Sequence, residues 1–97
     1  MKAIRKKPGC APEIIEVENT LKALQREVSG YIETVTIASD AVIICTEEGR
    51  ILGLPDNCRV CGVDVVGTVL IVGTKDDEFC DVPEADSLMD HLREDKK

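Results

Sequence analysis

Two runs of apolar, β-branched residues constrain this chain most: Ala41–Cys45 (AVIIC) and Val63–Val72 (VDVVGTVLIV). Branched side chains lose rotamer freedom in helices and pack well on a pleated surface, so both runs predict strands. Ala41–Thr46 is apolar on both faces, which is typical of a central strand. Gly67 inside the second run indicates a bulge or the close approach of another backbone. We therefore expect a fold built around a sheet.

Further strands are predicted from β-branched composition and from the turn residues that bound them. They are Met1–Lys7, Glu13–Glu18, Tyr31–Ile37 and Arg50–Leu54. The first two form a predicted hairpin. Glu48-Gly49 supplies a turn that places the strand Arg50–Leu54 beside the central strand. Pro55-Asp56-Asn57 is expected to end the strand Arg50–Leu54. We expect a polar loop at Gly73–Glu78.

Two amphipathic segments predict helices. Asn19 and Thr20 can each cap a helix of about nine residues, which Gly30 is placed to end in a left-handed conformation. A second helix is expected to start at Asp81–Glu84, where an acidic cap precedes Pro83. Its apolar stripe is Leu88, Met89 and Leu92.

Two helices are too few to alternate with parallel strands, so the sequence predicts an α+β fold. We expect a mainly antiparallel sheet of about five to six strands, with two helices packed on one face. Residues 1–97 are too few for two independent cores, and we expect a single domain.

The charge of the chain is acidic and unevenly distributed. The formal net charge is −7, and residues 75–97 contribute −5 of it through nine acidic and four basic residues. Proteins that bind nucleic acid usually carry a basic surface, and the one basic cluster here is Lys2, Arg5, Lys6 and Lys7. Direct binding of nucleic acid is not expected. The acidic segment Asp76–Asp95 allows an alternative, a nucleic-acid mimic or anti-defence protein.

Compartment and assembly follow from other patterns. The sequence contains no run of eighteen apolar residues, so no membrane span is predicted. The opening MKAIRKKPG lacks the apolar segment of a signal peptide. Five cysteines without a secretion signal indicate reduced thiols and a cytoplasmic protein. A small core with two aromatic residues favours burial of an apolar sheet or helix face in a homodimer, or against another protein.

Several motifs resemble one family along nearly the whole chain. They are MKAIRKKPG at the start, NTLKALQREVSGYIETV at Asn19–Val35, TEEGRILGLPDN at Thr46–Asn57, GTVLIVG at Gly67–Gly73 and the closing DEFCDVPEADSLMDHL. The order EEG then GLPxN is the most specific part. Together they resemble the small bacterial, plasmid and phage proteins classed as domain of unknown function 3846. That resemblance implies a cytoplasmic protein of mobile elements with no established activity. Thr46 departs from the usual asparagine, and Cys58 and Cys61 lie outside the family pattern.

The segment Glu47–Arg59 (EEGRILGLPDNCR) is the first candidate site, because loops between rigid strands often carry function. Arg50, Asn57 and Arg59 have groups that can bind phosphate or carboxylate, and the alternative is that they hydrogen-bond the loop itself. Glu47 and Glu48 could serve acid–base chemistry or Mg²⁺ binding, although a solvated turn explains them as well.

Cys58 and Cys61 form the second candidate site. Two thiolates at this spacing can hold zinc if Cys80 and His91 complete a tetrahedral set. The second pair is scattered along the chain, however, so we expect ordinary side chains and no cofactor. An enzyme would need a pocket in which Glu47 or Glu48 meets a thiol or His91. The sequence therefore favours a non-catalytic binding module that acts through protein contacts or a small anionic ligand near Arg50–Arg59.

Overall fold

A sheet of six strands forms the centre of the protein. The computed structural model describes residues 1–47, 53–60 and 62–94, and at residues 56, 58, 59, 63, 93 and 94 it describes the backbone alone. The strands of this sheet and those of a second, two-stranded sheet are β1 (Lys2–Lys6), β2 (Glu13–Glu16), β3 (Ile32–Ala38), β4 (Ala41–Thr46), β5 (Asp56–Val60), β6 (Val63–Val66), β7 (Val69–Lys75) and β8 (Glu78–Cys80). The helices are α1 (Leu21–Val28) and α2 (Ala85–Glu94).

The large sheet has the order β2-β1-β7-β4-β3, and its described strand pairs are all antiparallel. β7 pairs with β1 through Val69–Ile71 and with β4 through Leu70–Gly73. Its final residues pair with β8. β5 and β6 form a separate hairpin. The α+β prediction with a mainly antiparallel sheet and two packed helices is confirmed.

Polar residues cap both ends of helix α1. The Oγ1 of Thr20 accepts a hydrogen bond from the N–H of Ala23 at 3.2 Å, so Thr20 is the cap. The left-handed residue at the other end is Ser29, with φ of 62°, and the prediction that Gly30 takes this role is wrong. Gly30 is needed instead for close packing, because a Cβ there would lie 2.8 Å from the Oγ1 of Thr46.

The two faces of the sheet carry different layers, because side chains alternate along each strand. The α1 face is packed by Leu24 and Val28 of α1; its buried sheet residues are Ala3, Val42, Ile44, Leu70 and Val72. The α2 face is packed by Met89 and Leu92 of α2 and by Val60 and Val65 of the β5–β6 hairpin; its buried sheet residues are Ile4, Ile43, Cys45, Val69 and Ile71. The prediction that both helices pack on one face is therefore wrong.

Three predicted segments differ in the structure. The run Val63–Val72 is two strands, because Gly67 has φ of 69° and donates its N–H to the carbonyl of Pro55 at 2.8 Å. Asp56, expected to end a strand, begins β5. The expected loop at Gly73–Glu78 is a tight hairpin between β7 and β8. The predicted strand Arg50–Leu54 lies mostly outside the described residues; Gly53 and Leu54 are not in a strand.

Among the described helices, none has the length and apolar character to cross a membrane.

Candidate functional site

The predicted loop site is only partly within the described residues. Glu47 is exposed, and its backbone N–H donates to the carbonyl of Tyr31 at 2.9 Å, which extends the pairing of β3 with β4. Glu48 and Arg50 lie outside the described residues. Arg59 is in β5 opposite Asp64, and its side chain is not described. Both guanidinium groups of this prediction thus lie outside the described part of the protein, and the anion site stays a prediction.

Asn57 is fully used by hydrogen bonds within the protein. It is 1% exposed, and its Nδ2 donates to the carbonyls of Lys6 at 2.8 Å and Gly67 at 2.7 Å. Its Oδ1 accepts from the Nζ of Lys6 at 3.0 Å, and that amine also donates to the carbonyl of Lys7 at 2.9 Å. These bonds join the start of β5 to β1 and to the bend before β7. The amide therefore holds the chain and has no donor left for a ligand.

The residues of the zinc prediction that the structure describes belong to three elements. Cys58 belongs to β5, with an undescribed side chain, and Cys61 lies outside the described residues. Cys80 is half-buried in β8, and His91 is exposed on α2. Within the described part of the chain no three His, Cys, Asp or Glu groups gather to hold a metal. Zinc at Cys58 and Cys61 stays an untested prediction.

An ion-pair cluster at the other side of the sheet was not predicted from the sequence. Both Oε atoms of Glu27 accept from Nη1 of Arg5 at 3.1 Å, and Nη2 of Arg5 donates to Glu13 at 3.0 Å. The hydrogen bond to Glu13, then that to Glu27, raises the pKa of Arg5 against the opposing effect of burial. Because these contacts link β1, β2 and α1, the cluster positions α1 on the sheet.

A polar depression opens on the α1 face where α1 no longer covers the sheet. Its volume is about 470 Å³, and strands β3, β4, β7 and β8 contribute its walls. The lining residues are Thr34, Thr36, Ser39, Val42, Thr74, Lys75, Asp76, Asp77 and Phe79. Threonine hydroxyls both donate and accept hydrogen bonds, while the ring of Phe79 offers an apolar surface. The depression can therefore hold a polar group through several short contacts.

Two adjacent aspartates form one rim of the depression. Asp76 and Asp77 connect β7 to β8, and both have positive φ, 52° and 65°. A two-residue hairpin with left-handed φ at both positions normally carries Asn-Gly, because side chains other than Gly, Asn and Asp are strained there. The backbone N–H of Thr74 donates to the carbonyl of Asp40 at 2.9 Å, which brings the β3–β4 turn beside this hairpin. The rim is consequently acidic.

Part of this site has a sequence signal. Thr34 and Thr36 alternate with Val35 in YIETVTI, so one face of this strand could be predicted as polar. The walls from β7 and β8 come from residues about forty positions later, and their approach depends on the pairing of β4 with β7. The described acids of the mimic alternative are divided among this hairpin, the connection from β8 to α2, and α2 itself, which packs on the opposite face. That alternative also stays a prediction.

A known protein family matches nearly the whole chain. A family model described as domain of unknown function (DUF3846) matches residues 1–94. This match confirms the resemblance found in the sequence motifs. No curated protein and no solved structure matches the chain.

Proposed function

The chain belongs to the DUF3846 family, whose description assigns no activity, and we propose that the protein is a non-catalytic binding module whose ligand lies in the depression on the α1 face. The observation that carries this proposal is the depression itself. Its volume of about 470 Å³ is in the usual range of ligand sites, 300–1,000 Å³. No other surface described above combines this room with unoccupied hydroxyl and carboxylate groups.

The lining supports binding more than catalysis. Among its described lining residues are four hydroxyls, one amine and two carboxylates, but no thiol or imidazole beside a carboxylate. Such a pair is the usual arrangement for nucleophilic or acid–base chemistry. The open, polar walls are also typical of protein contact surfaces, which are wetter than small-molecule pockets. A polar segment of another protein therefore fits this site well.

The charge of the depression selects for a neutral or cationic ligand group. Asp76 and Asp77 outweigh Lys75 on its walls, and Asp40 is exposed in the adjacent turn. An anion there would meet like charges, whereas a guanidinium can form charge-assisted hydrogen bonds with the aspartates. This preference for a cationic ligand differs from the anionic ligand predicted near Arg50–Arg59. The two sites can therefore be tested together.

NMR titration of ¹⁵N-labelled protein tests this function with three probes: L-arginine amide, inorganic phosphate and a neutral disaccharide. We expect L-arginine amide to shift the backbone signals of Thr34, Thr36, Thr74 and Phe79 in a saturable manner. Phosphate should leave these signals unchanged. If phosphate alone binds and shifts the signals of Asn57 and Arg59, the loop site is correct and the depression is not the binding site.

Paired charge variants provide the control. Asp76→Asn with Asp77→Asn removes two charges from the depression, and asparagine still tolerates positive φ. Glu84→Gln with Asp86→Asn removes two charges from exposed positions before and within α2, on the opposite side of the sheet. The first pair should weaken binding of L-arginine amide several-fold, and the second should not. Equal weakening by both pairs would mean that net charge, and not the depression, attracts the probe.

A further inference from the structure

The two edges of the large sheet are protected to different degrees. Edge strands are normally shortened, charged or bulged, because an open edge can pair with another chain. β2 has four residues and begins and ends in glutamate. β3 has seven residues, with Glu33 as its one charge, and its bulge lies at its far end, between Thr36 and Ala38. Among the described strands, β3 pairs with β4 alone, and Ile32–Thr36 is a regular open edge.

The hydrogen-bond pattern shows which residues face this open edge. The bond from the N–H of Glu47 to the carbonyl of Tyr31 makes these two a hydrogen-bonded pair. Such pairs alternate along an antiparallel ladder, so Glu33 and Val35 are the next residues bonded to β4. The backbone groups of Thr34 and Thr36 consequently point away from β4. The same two residues place their side chains in the depression.

Resting on the proposed function, the geometry points to the kind of partner: an extended, basic segment of another protein that adds to the sheet along β3. Its backbone would pair with Ile32, Thr34 and Thr36, and its alternate side chains would extend over the α1 face beside the depression. Strand addition of this kind draws affinity from main-chain bonds and specificity from alternate side chains.

Charge around this edge favours a basic partner over a second copy of the chain. Six exposed acids lie on β3, on the neighbouring turns, at the rim of the depression or at the start of β8: Glu33, Asp40, Glu47, Asp76, Asp77 and Glu78. Their attraction for lysine or arginine acts over about 8 Å at physiological ionic strength. Two copies of a chain with net charge −7 would repel each other at the same edge.

Three synthetic heptapeptides test the inference. The first is Ac-KTKVKTK-amide, the second replaces each lysine with glutamate, and the third keeps the lysines but carries N-methyl groups on alternate backbone nitrogens. We expect the first to shift the NMR signals of Ile32–Thr36 and of the depression, and to bind at least ten times more tightly than the other two. Raising the salt concentration should weaken it, because the attraction is partly electrostatic.

Two variants of β3 provide a matched pair. Thr34→Pro removes an outward N–H at an edge position, where proline is tolerated, while Thr34→Val keeps that N–H. The proline variant should bind the basic peptide at least tenfold more weakly than the valine variant. If the proline variant does not fold, the N-methylated peptide still separates strand addition from simple charge attraction.

Each other outcome contradicts part of the argument. If the N-methylated peptide binds as well as the first peptide, strand addition is wrong, although the depression still binds cations. If no peptide binds and L-arginine amide leaves the depression unchanged, the proposed function itself is wrong. If sedimentation shows a dimer that Thr34→Pro abolishes, the occupant of the edge is a second copy and the basic partner is wrong.

Discussion

The two faces of the sheet differ in how completely they are covered. The α2 face is closed by a helix, a β-hairpin and the buried Lys6–Asn57 contact. The α1 face is covered by one helix of eight residues, which leaves the depression open. Both faces bury an apolar cluster that stabilises the fold, and the α1 face also leaves polar groups available to other molecules. The thickness of one sheet thus separates the proposed binding site from the more completely covered face.

The largest effect expected is at the covered face. Asn57→Ala removes three hydrogen bonds and leaves the Lys6 amine and two carbonyls poorly paired. Unsatisfied buried groups each cost about 1–3 kcal/mol, so we expect the free energy of unfolding to fall by about 3 kcal/mol. Urea denaturation measures this loss of unfolding free energy. Asn19→Ala is the control, because exposed Asn19 makes one bond to the carbonyl of Phe79 at 2.9 Å. Equal losses of unfolding free energy in the two variants would contradict the assignment of the largest effect to the covered face.

Thiol reactivity should also separate the covered face from the surface. Burial, and secondarily the charge of Glu33, raises the pKa of Cys45 above 9.0, whereas Cys10 is exposed. Since the thiolate is the reactive form, iodoacetamide at pH 8 should modify Cys10 at least about tenfold faster than Cys45. Peptide mass mapping after short reaction times measures both rates. Comparable rates would mean that the α2 face opens readily.

The raised pKa of Cys45 has a consequence for stability. The folded protein keeps the thiol proton at a pH where the unfolded chain releases it. Its contribution is therefore complete below pH 9.0 and is lost as the pH rises from there through the raised pKa. Cys45→Ala should weaken this alkaline dependence in urea denaturation between pH 8 and 10. An unchanged dependence would show that Cys45 ionises as freely in the folded protein as in the unfolded chain.

At the open face, a substitution can stabilise the fold and weaken binding. Asp77→Gly relieves the left-handed conformation of a non-glycine residue and should raise the free energy of unfolding by about 1 kcal/mol. Ser29→Gly offers the same conformational relief without a change of charge. Only Asp77→Gly should weaken binding of L-arginine amide. If Asp77→Gly destabilises the protein instead, its carboxylate has a structural role.

The smallest effect is expected inside the depression. Thr36→Ala removes an exposed hydroxyl from β3, and exposed substitutions usually change stability by less than about 0.5 kcal/mol. Urea denaturation should give nearly the same midpoint for the variant and the original protein. A loss near that of Asn57→Ala would show that the depression belongs to the stabilising core, and the distinction between the faces would fail.

The sequence predicts the elements of this fold better than their arrangement. Capping residues and hydrophobic period identify α1, and a continuous β-branched apolar run identifies β4, because these signals are local. The assignment of each helix to a face depends on which residues pair across the sheet, and that information is long-range. Val63–Val72 is predicted as one strand because most of its residues are suited to strands, whereas a backbone bond at Gly67 divides it.

The candidate site is harder still to predict. Thr34 and Thr36 are visible as an alternating pattern, but nothing local brings Asp76 and Asp77 to them. The loop residue that looked available for a ligand, Asn57, is occupied because it lies beside Lys6, 51 positions earlier. Polar residues in a loop sequence are equally suited to holding the chain and to holding a ligand, and only their neighbours in space decide.

The position of β7 between β1 and β4 also affects how the chain is made. The hairpins β1–β2 and β3–β4 can each pair locally during synthesis, but in the large sheet they meet only through a strand that follows them. Until residues 69–75 leave the ribosome, both hairpins expose an apolar edge to other chains. Translation speed through this region, and chaperones that hold the nascent hairpins, should therefore influence how much protein reaches the native state.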